Sequence, residues 1–209
     1  MPLVHSEKIN QHCILLVWKL TESEEELLEQ LQCNHNDQDL IQISHPQKRR
    51  EWLSSRLLVK SLTELLGLKY EGTYKDTHGK LYLRNHDAEI SITHSLDYVA
   101  GIIHESKEVG IDMEAINPKL QRTARKYLDN AEFEHAEDDL TLLAMYWCAK
   151  EAIYKLHGKN KVSFKDNIRI APFDKAQHEL QGQIMGIPQI ISATLLVRWF
   201  ETYCLVVAI

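Results

Sequence analysis

The chain has 209 residues, a formal charge of −6, 44% hydrophobic residues and 26% charged residues. This is ordinary for a soluble globular protein with one large domain or two small ones. The acidic balance argues against a general nucleic-acid binder, whose footprint is basic. The apolar runs, such as residues 13–18 and 205–209, are too short to span a bilayer.

The opening residues carry no basic region followed by a long apolar stretch, so neither a signal peptide nor membrane association is expected, and a cytoplasmic location is. Four scattered cysteines (Cys13, Cys33, Cys148 and Cys204) form no CxxC pair and read as buried or incidental thiols. Eleven histidines include no HxH or HxxxH pair, so a histidine metal cluster is not indicated.

In chain order, residues 13–20 are apolar and predict a strand, residues 22–32 a helix, and the polar residues 35–42 a loop. Ser44-His45-Pro46-Gln47 has the pattern of a capping box with proline in the first turn. It opens a helix whose apolar stripe is Leu53, Leu57, Leu58, Leu62, Leu65 and Leu66, with Gly67 as the stop. A turn is expected at Thr77-His78-Gly79-Lys80. Residues 88–93 and 99–104 read as paired strands, and 109–116 as a third, closed by Asn117-Pro118. Helices follow near 120–128 and over 139–157, the latter stopped by Gly158. Residues 167–171, 181–185, 190–199 and 203–208 are strand candidates. This order predicts an α+β protein with mainly antiparallel pairing. The seam falls in the polar stretch 104–108, dividing the chain into halves 1–105 and 106–209.

Two acidic clusters carry the chemistry. Asp112 and Glu114 are two apart in a strand, so their carboxylates share a face. Glu151 and Lys155 are four apart in a helix and share a face as well. Each has a bland reading: the wet side of an amphipathic strand, and a solvated ion pair worth about 0.2–0.5 kcal/mol. Trp147 lies beside Glu151 on the helix, opposite the stripe of Leu142, Met145, Tyr146, Ala149, Ala152, Ile153 and Leu156. A bulky aromatic on that side implies that something covers it. Carboxylates together with lysines are the parts for a hard divalent cation and a phosphate ester. His94 sits at a strand end. The cations Lys48, Arg49 and Arg50 oppose the dipole of the helix they begin, which solvation or a bound anion would relieve.

The segments Val109-Gly110-Ile111-Asp112-Met113-Glu114 and Trp147-Cys148-Ala149-Lys150-Glu151-Ala152-Ile153-Tyr154-Lys155 resemble the (V/I)G(V/I)D and W(S/C)xKE(A/S)xxK motifs of the 4′-phosphopantetheinyl transferases, in the branch that activates synthetase and polyketide carrier proteins. Ile92-Thr93-His94-Ser95 is similar to the family's NISHS segment and His78-Gly79-Lys80 to its YGKP turn. The resemblance implies two similar α+β halves related by a pseudo-twofold, and a monomer. It implies transfer of the phosphopantetheine arm of coenzyme A to a serine of an apo acyl or peptidyl carrier protein, releasing adenosine 3′,5′-bisphosphate.

By the same resemblance Asp112, Glu114 and Glu151 hold Mg²⁺, and Lys150 and Lys155 neutralise the pyrophosphate. Arg50 and His94 bind the 3′-phosphate, and Lys80, Thr93 and Ser95 line the nucleotide site. Glu151 is the candidate general base, directly or through a water; a carboxylate beside cations stays ionised, which favours the water route. The family often brings further lysines to the 3′-phosphate from the segment before Arg50; residues 34–47 have none, leaving Lys48 or Arg49 to substitute. The alternative is a non-catalytic carrier-protein or nucleotide-binding module on the same fold.

Overall fold

A computed structural model describes residues 3–32, 40–158, 162–187 and 189–209, and the side chains of all of these except 186, 187 and 189. Residues Met1–Lys107 form one compact unit and Glu108–Ile209 another.

In the first unit, β1 (Leu3–Asn10), β2 (Cys13–Lys19), β5 (Glu89–His94) and β6 (Tyr98–His104) form an antiparallel sheet in the order β1-β2-β6-β5. The small hairpin of β3 (Thr73–Lys75) and β4 (Leu81–Leu83) encloses the expected turn at residues 77–80. Helix α2 (Pro46–Leu65) packs Leu58, Val59 and Leu62 against Ile14, Leu16, Val99 and Ile103 of the sheet. Helix α1 (Glu24–Leu31) adds Leu27 and Leu31 beside Leu53 and Leu57 of α2. At α1, Ser23 accepts from the Glu26 amide while Glu26 reaches back to the Ser23 amide, a capping box legible in the sequence as Ser-x-x-Glu.

The capping box expected at Ser44 and Gln47 does not form. The N-cap is His45, which makes no side-chain cap, and Pro46 occupies the first helical turn. Ser44 therefore lies one residue too early to reach the free amides. Strand β1 was not expected because its alternation is polar and mostly exposed, leaving no apolar stripe to read. The expected loop at 35–42 lies largely outside the described residues, as does Cys33. The other three cysteines are free and buried.

In the second unit, β7 (Gly110–Ala115), β8 (Ile168–Ile170), β9 (Glu179–Ile187), β10 (Gln189–Phe200) and β11 (Tyr203–Ala208) form an antiparallel sheet in the order β7-β11-β10-β9-β8. Helix α5 (Leu140–His157) lies across it and buries Met145, Ala149, Ala152, Ile153 and Leu156 against Leu180, Leu195, Val197, Cys204 and Val206. Asp139 caps its start by accepting from the Thr141 and Leu142 amides, and Gly158, with φ +67°, closes its end in the left-handed region that favours glycine. Helices α3 (Lys119–Tyr127), α4 (Asn130–Ala136) and α6 (Phe164–Asn167) complete the unit. Helix α4 opens with a second capping box, Asp129 with Glu132, and was not expected because its short span holds few apolar residues. Both sheets pair antiparallel throughout, as the α+β reading requires.

Candidate active site

The centre of the second unit's site is the junction of β7 and α5. Gly110 allows it: a Cβ there would stand 1.9 Å from the Ala152 carbonyl oxygen and 2.7 Å from the Leu156 nitrogen. Strand backbone therefore packs directly on helix backbone. Two residues along β7, Asp112 shares the face of Gly110 and meets the helix. Its Oδ1 lies 2.7 Å from the Lys155 ammonium, which also donates to the Ile111 carbonyl at 2.9 Å. Asp112 and Glu114 thus face α5 rather than solvent, and Asp112 is buried. The reading of these two as the wet side of a strand does not hold.

Glu151 lies one turn before Lys155 on α5. Burial and the charges of Asp112 and Glu114 push its carboxyl up to about 7, with Lys155 opposing. Burial first, then Asp112, also raises Glu114. The charge of Asp112 disfavours ionisation of both Glu114 and Glu151, and carboxylate oxygens are the hard donors that Mg²⁺ takes. Among the described residues, no three His, Cys, Asp or Glu side chains sit close enough to hold a metal ion as they stand. Glu114 Oε1 instead accepts from the Ala115 amide and the Asn117 side chain.

A cavity of about 560 Å³ opens beside these acids, lined by Glu114, Lys119, Thr123, Trp147, Glu151 and Phe164 among others. The expectation that Trp147 is covered is met: its ring lies edge-on to Tyr127 at 5.0 Å and beside Phe164 at 5.9 Å.

Lys150 is not part of this site. Its side chain is 0% exposed, its ammonium pairs with Glu132 at 2.6 Å, and it donates to the Phe164 and Ile168 carbonyls at 2.9 and 2.8 Å. One helical step, about 100°, separates it from Glu151 and turns it into the core. The expected pyrophosphate contact is therefore corrected: this ammonium is already saturated by protein oxygens. Glu132, unremarked in the sequence, supplies the charge, and its other oxygen accepts from the Ile170 amide. The Asp129-x-x-Glu132 capping pattern was the available signal.

The remaining candidates lie in the first unit. His94 Nε2 is 3.0 Å from Glu51 Oε2, which also pairs with Lys48 at 2.6 Å. Glu51 is nearly buried and was not singled out; its place three residues after Lys48 on the helix was the signal. Arg50 donates to the Glu22 carbonyl at 3.0 Å. Arg49 bonds Glu24 at 2.6 Å and the Leu40 and Ile43 carbonyls. That explains its cation near a helix start as a clasp between helices, and removes it as a substitute for the missing lysines. Lys80 is 3.0 Å from Glu89. Thr93 is buried on β5, and Ser95 bonds Tyr98 across the turn to β6.

Residues 108–207 match the sequence model of the 4′-phosphopantetheinyl transferase superfamily. The matched segment takes in nearly all of the second unit and contains the β7–α5 site. The chain is similar to the 4′-phosphopantetheinyl transferase AcpT of Escherichia coli strain K12, 31% identical over 121 residues, covering 53% of this chain and 59% of the relative. AcpT of Escherichia coli O157:H7 matches with the same figures. The chain thus spans about three fifths of the length of these curated relatives.

Proposed function

We propose that the chain transfers the 4′-phosphopantetheine arm of coenzyme A to a serine of an apo acyl or peptidyl carrier protein, with Mg²⁺, releasing adenosine 3′,5′-bisphosphate. The observation that carries this reading is the Asp112, Glu114, Glu151 and Lys155 group fixed at the β7–α5 junction within the family-matched segment.

In the reaction the serine oxygen forms a bond to the β-phosphorus of coenzyme A as the bond from that phosphorus to the bridging oxygen breaks. Negative charge then collects on the leaving bisphosphate, so catalysis is mainly positioning and neutralisation. Asp112, Glu114 and Glu151 would hold Mg²⁺, whose chemistry when bound is neutralisation of the pyrophosphate oxygens. Lys155, held by the Ile111 carbonyl and Asp112, turns its third N–H to the same oxygens. Glu151, ionised beside the cations it would face, takes up the serine proton through a water rather than directly. Arg50 and His94 hold the 3′-phosphate, and Lys80, Thr93 and Ser95 line the nucleotide site. Glu51 Oε2, 3.0 Å from His94 Nε2, fixes the ring's orientation for that task. The two-half organisation, a single-chain working unit and a cytoplasmic location belong to the same proposal; among the described residues no helix is long and apolar enough to cross a membrane.

The test is intact-mass spectrometry of apo carrier proteins incubated with coenzyme A and Mg²⁺. A phosphopantetheine adduct is expected, lost on chelation and lost in Glu151→Gln with the fold unchanged. No adduct on any acyl or peptidyl carrier overturns the reading. Coenzyme A binding indifferent to Mg²⁺ then points to a binding module.

A further inference from the structure

We infer that the chain draws no net affinity from the 3′-phosphate of its donor, so that 3′-dephospho-coenzyme A serves as well as coenzyme A, and that Glu51 sets this preference. The inference rests on the transferase reading above and redraws the donor end of it.

The cations available to the nucleotide end lie in the first unit, and each already has a protein acceptor. Arg49 bonds Glu24 of α1 and the Leu40 and Ile43 carbonyls. Arg50 gives its Nε hydrogen to the Glu22 carbonyl, just ahead of α1. Lys80 is 3.0 Å from Glu89, with only 9% of its side chain exposed. Lys48 and His94 meet on a single carboxylate oxygen, Glu51 Oε2, at 2.6 and 3.0 Å. Residues 34–45, ahead of α2, add no lysine or arginine.

Glu51 is the member that decides. Its side chain is only 10% exposed, and three donors hold it: Lys48 and His94 on Oε2, and the Gln47 amide on Oε1 at 3.5 Å. Gln47 and Lys48 precede it by four and three residues on α2, so helix geometry keeps all three on one face. Strand β5 ends at His94 and delivers that ring to the same carboxylate. Arg50, one residue away, points about 100° around the helix from Glu51.

Lys48 and Glu51 cancel, so this group carries at most the single charge of a protonated His94. A phosphate monoester brings about −1.5 to −2 at neutral pH and is held by a surplus of cationic donors. Here a carboxylate already accepts the charge-assisted hydrogen bonds that the phosphate needs. To reach Lys48 or His94 the phosphate must drive a nearly buried carboxylate off both, or lie beside it and be repelled. Without the phosphate, the ribose presents an uncharged hydroxyl, which donates to a carboxylate. An acidic side chain selects a ribose hydroxyl over a ribose phosphate by the same chemistry in dinucleotide-binding folds. With this donor the serine oxygen bonds to the β-phosphorus as the bond from that phosphorus to the bridging oxygen breaks. The serine proton passes through a water to Glu151, and adenosine 5′-monophosphate leaves.

The experiment measures kcat/KM for purified coenzyme A and for 3′-dephospho-coenzyme A with Mg²⁺ and one apo carrier protein, read by intact-mass spectrometry. The unaltered chain should use the dephospho donor with at least about a third of the kcat/KM it shows for coenzyme A. A preference for coenzyme A above about threefold overturns the inference. Glu51→Gln keeps the length of the side chain and removes its charge. It should shift the ratio of the two kcat/KM values toward coenzyme A by about tenfold, chiefly through KM. A ratio that the variant leaves unchanged overturns the assignment to Glu51. Where circular dichroism shows that the variant does not fold, the donor comparison in the unaltered chain decides alone.

If neither donor yields an adduct, the transferase reading falls and the inference is judged by calorimetry. Kd values for the two donors within about threefold of each other sustain it. Tighter binding of coenzyme A, or binding of neither, removes it.

Discussion

With its ammonium 2.7 Å from Asp112, Lys155 serves the acidic group as a counter-ion supplied by the chain itself. The group therefore tolerates the loss of a divalent ion, and chelation is expected to stop transfer without unfolding the protein, checked by circular dichroism alongside the mass assay. Glu151 carries the cost of the crowding. Folding raises its carboxyl from an ordinary 4.5 to about 7, so that contribution to stability is fully present below about 4.5 and is lost as pH rises through 7. The size is about 3 kcal/mol as an order of magnitude. Thermal melts of metal-free protein between pH 4.5 and 7.5 are expected to fall more steeply for the unaltered chain than for Glu151→Gln. Equal slopes would show that Glu151 does not feel its neighbours. Adding Mg²⁺ at the upper end should restore part of the loss, because binding favours the ionised carboxylates.

At the level of elements, α5 is held in place by groups on two of its sides. Toward β7 it rests on Gly110; toward β8, α4 and α6 it is tied by Lys150, whose three acceptors come from Glu132, Phe164 and Ile168. Removing one member of a buried pair strands the other charge, so Lys150→Met is expected to cost about 3–5 kcal/mol. Lys150→Met/Glu132→Leu, which removes both charges, should recover most of it in denaturant titrations; a double variant as unstable as the single would show that the hydrogen bonds to the carbonyls dominate. Gly110→Ala should cost about 3 kcal/mol or more, since the new methyl meets backbone with nowhere to move. Its transfer activity should fall with its stability as Asp112 is levered off Lys155.

For the whole molecule, ligand linkage offers a test that needs no acceptor. If coenzyme A and Mg²⁺ share a site, coenzyme A at a hundredfold its Kd should stabilise the chain by about 2.7 kcal/mol with Mg²⁺, and by much less with chelator. How much of this was legible beforehand depends on the range of the interactions. The acidic pairs were read correctly as neighbours because period-2 and period-3.6 spacing are local properties. The resemblance misassigned Lys150, which the single step from Glu151 turns about 100° around the helix and into the core. Glu132 and Glu51 had only local signals, a capping pattern and an i, i+3 spacing from Lys48, which do not give the partners Lys150 and His94; the Arg49 clasp likewise depends on partners distant in sequence. Strand β1 was missed because an exposed edge strand needs no apolar alternation, and the Ser44 capping box was expected one residue out of register because proline fixed the helix start.

Gly110 also bears on how far this protein can be altered. Where side chains set a spacing, a pair of compensating substitutions can usually restore it. Here the spacing is set by peptide atoms that every sequence shares, so no second-site change can trim them to admit a methyl group. Libraries that randomise the surrounding core should therefore recover many combinations at Ala149, Ile153 and Val206, and a single letter at 110.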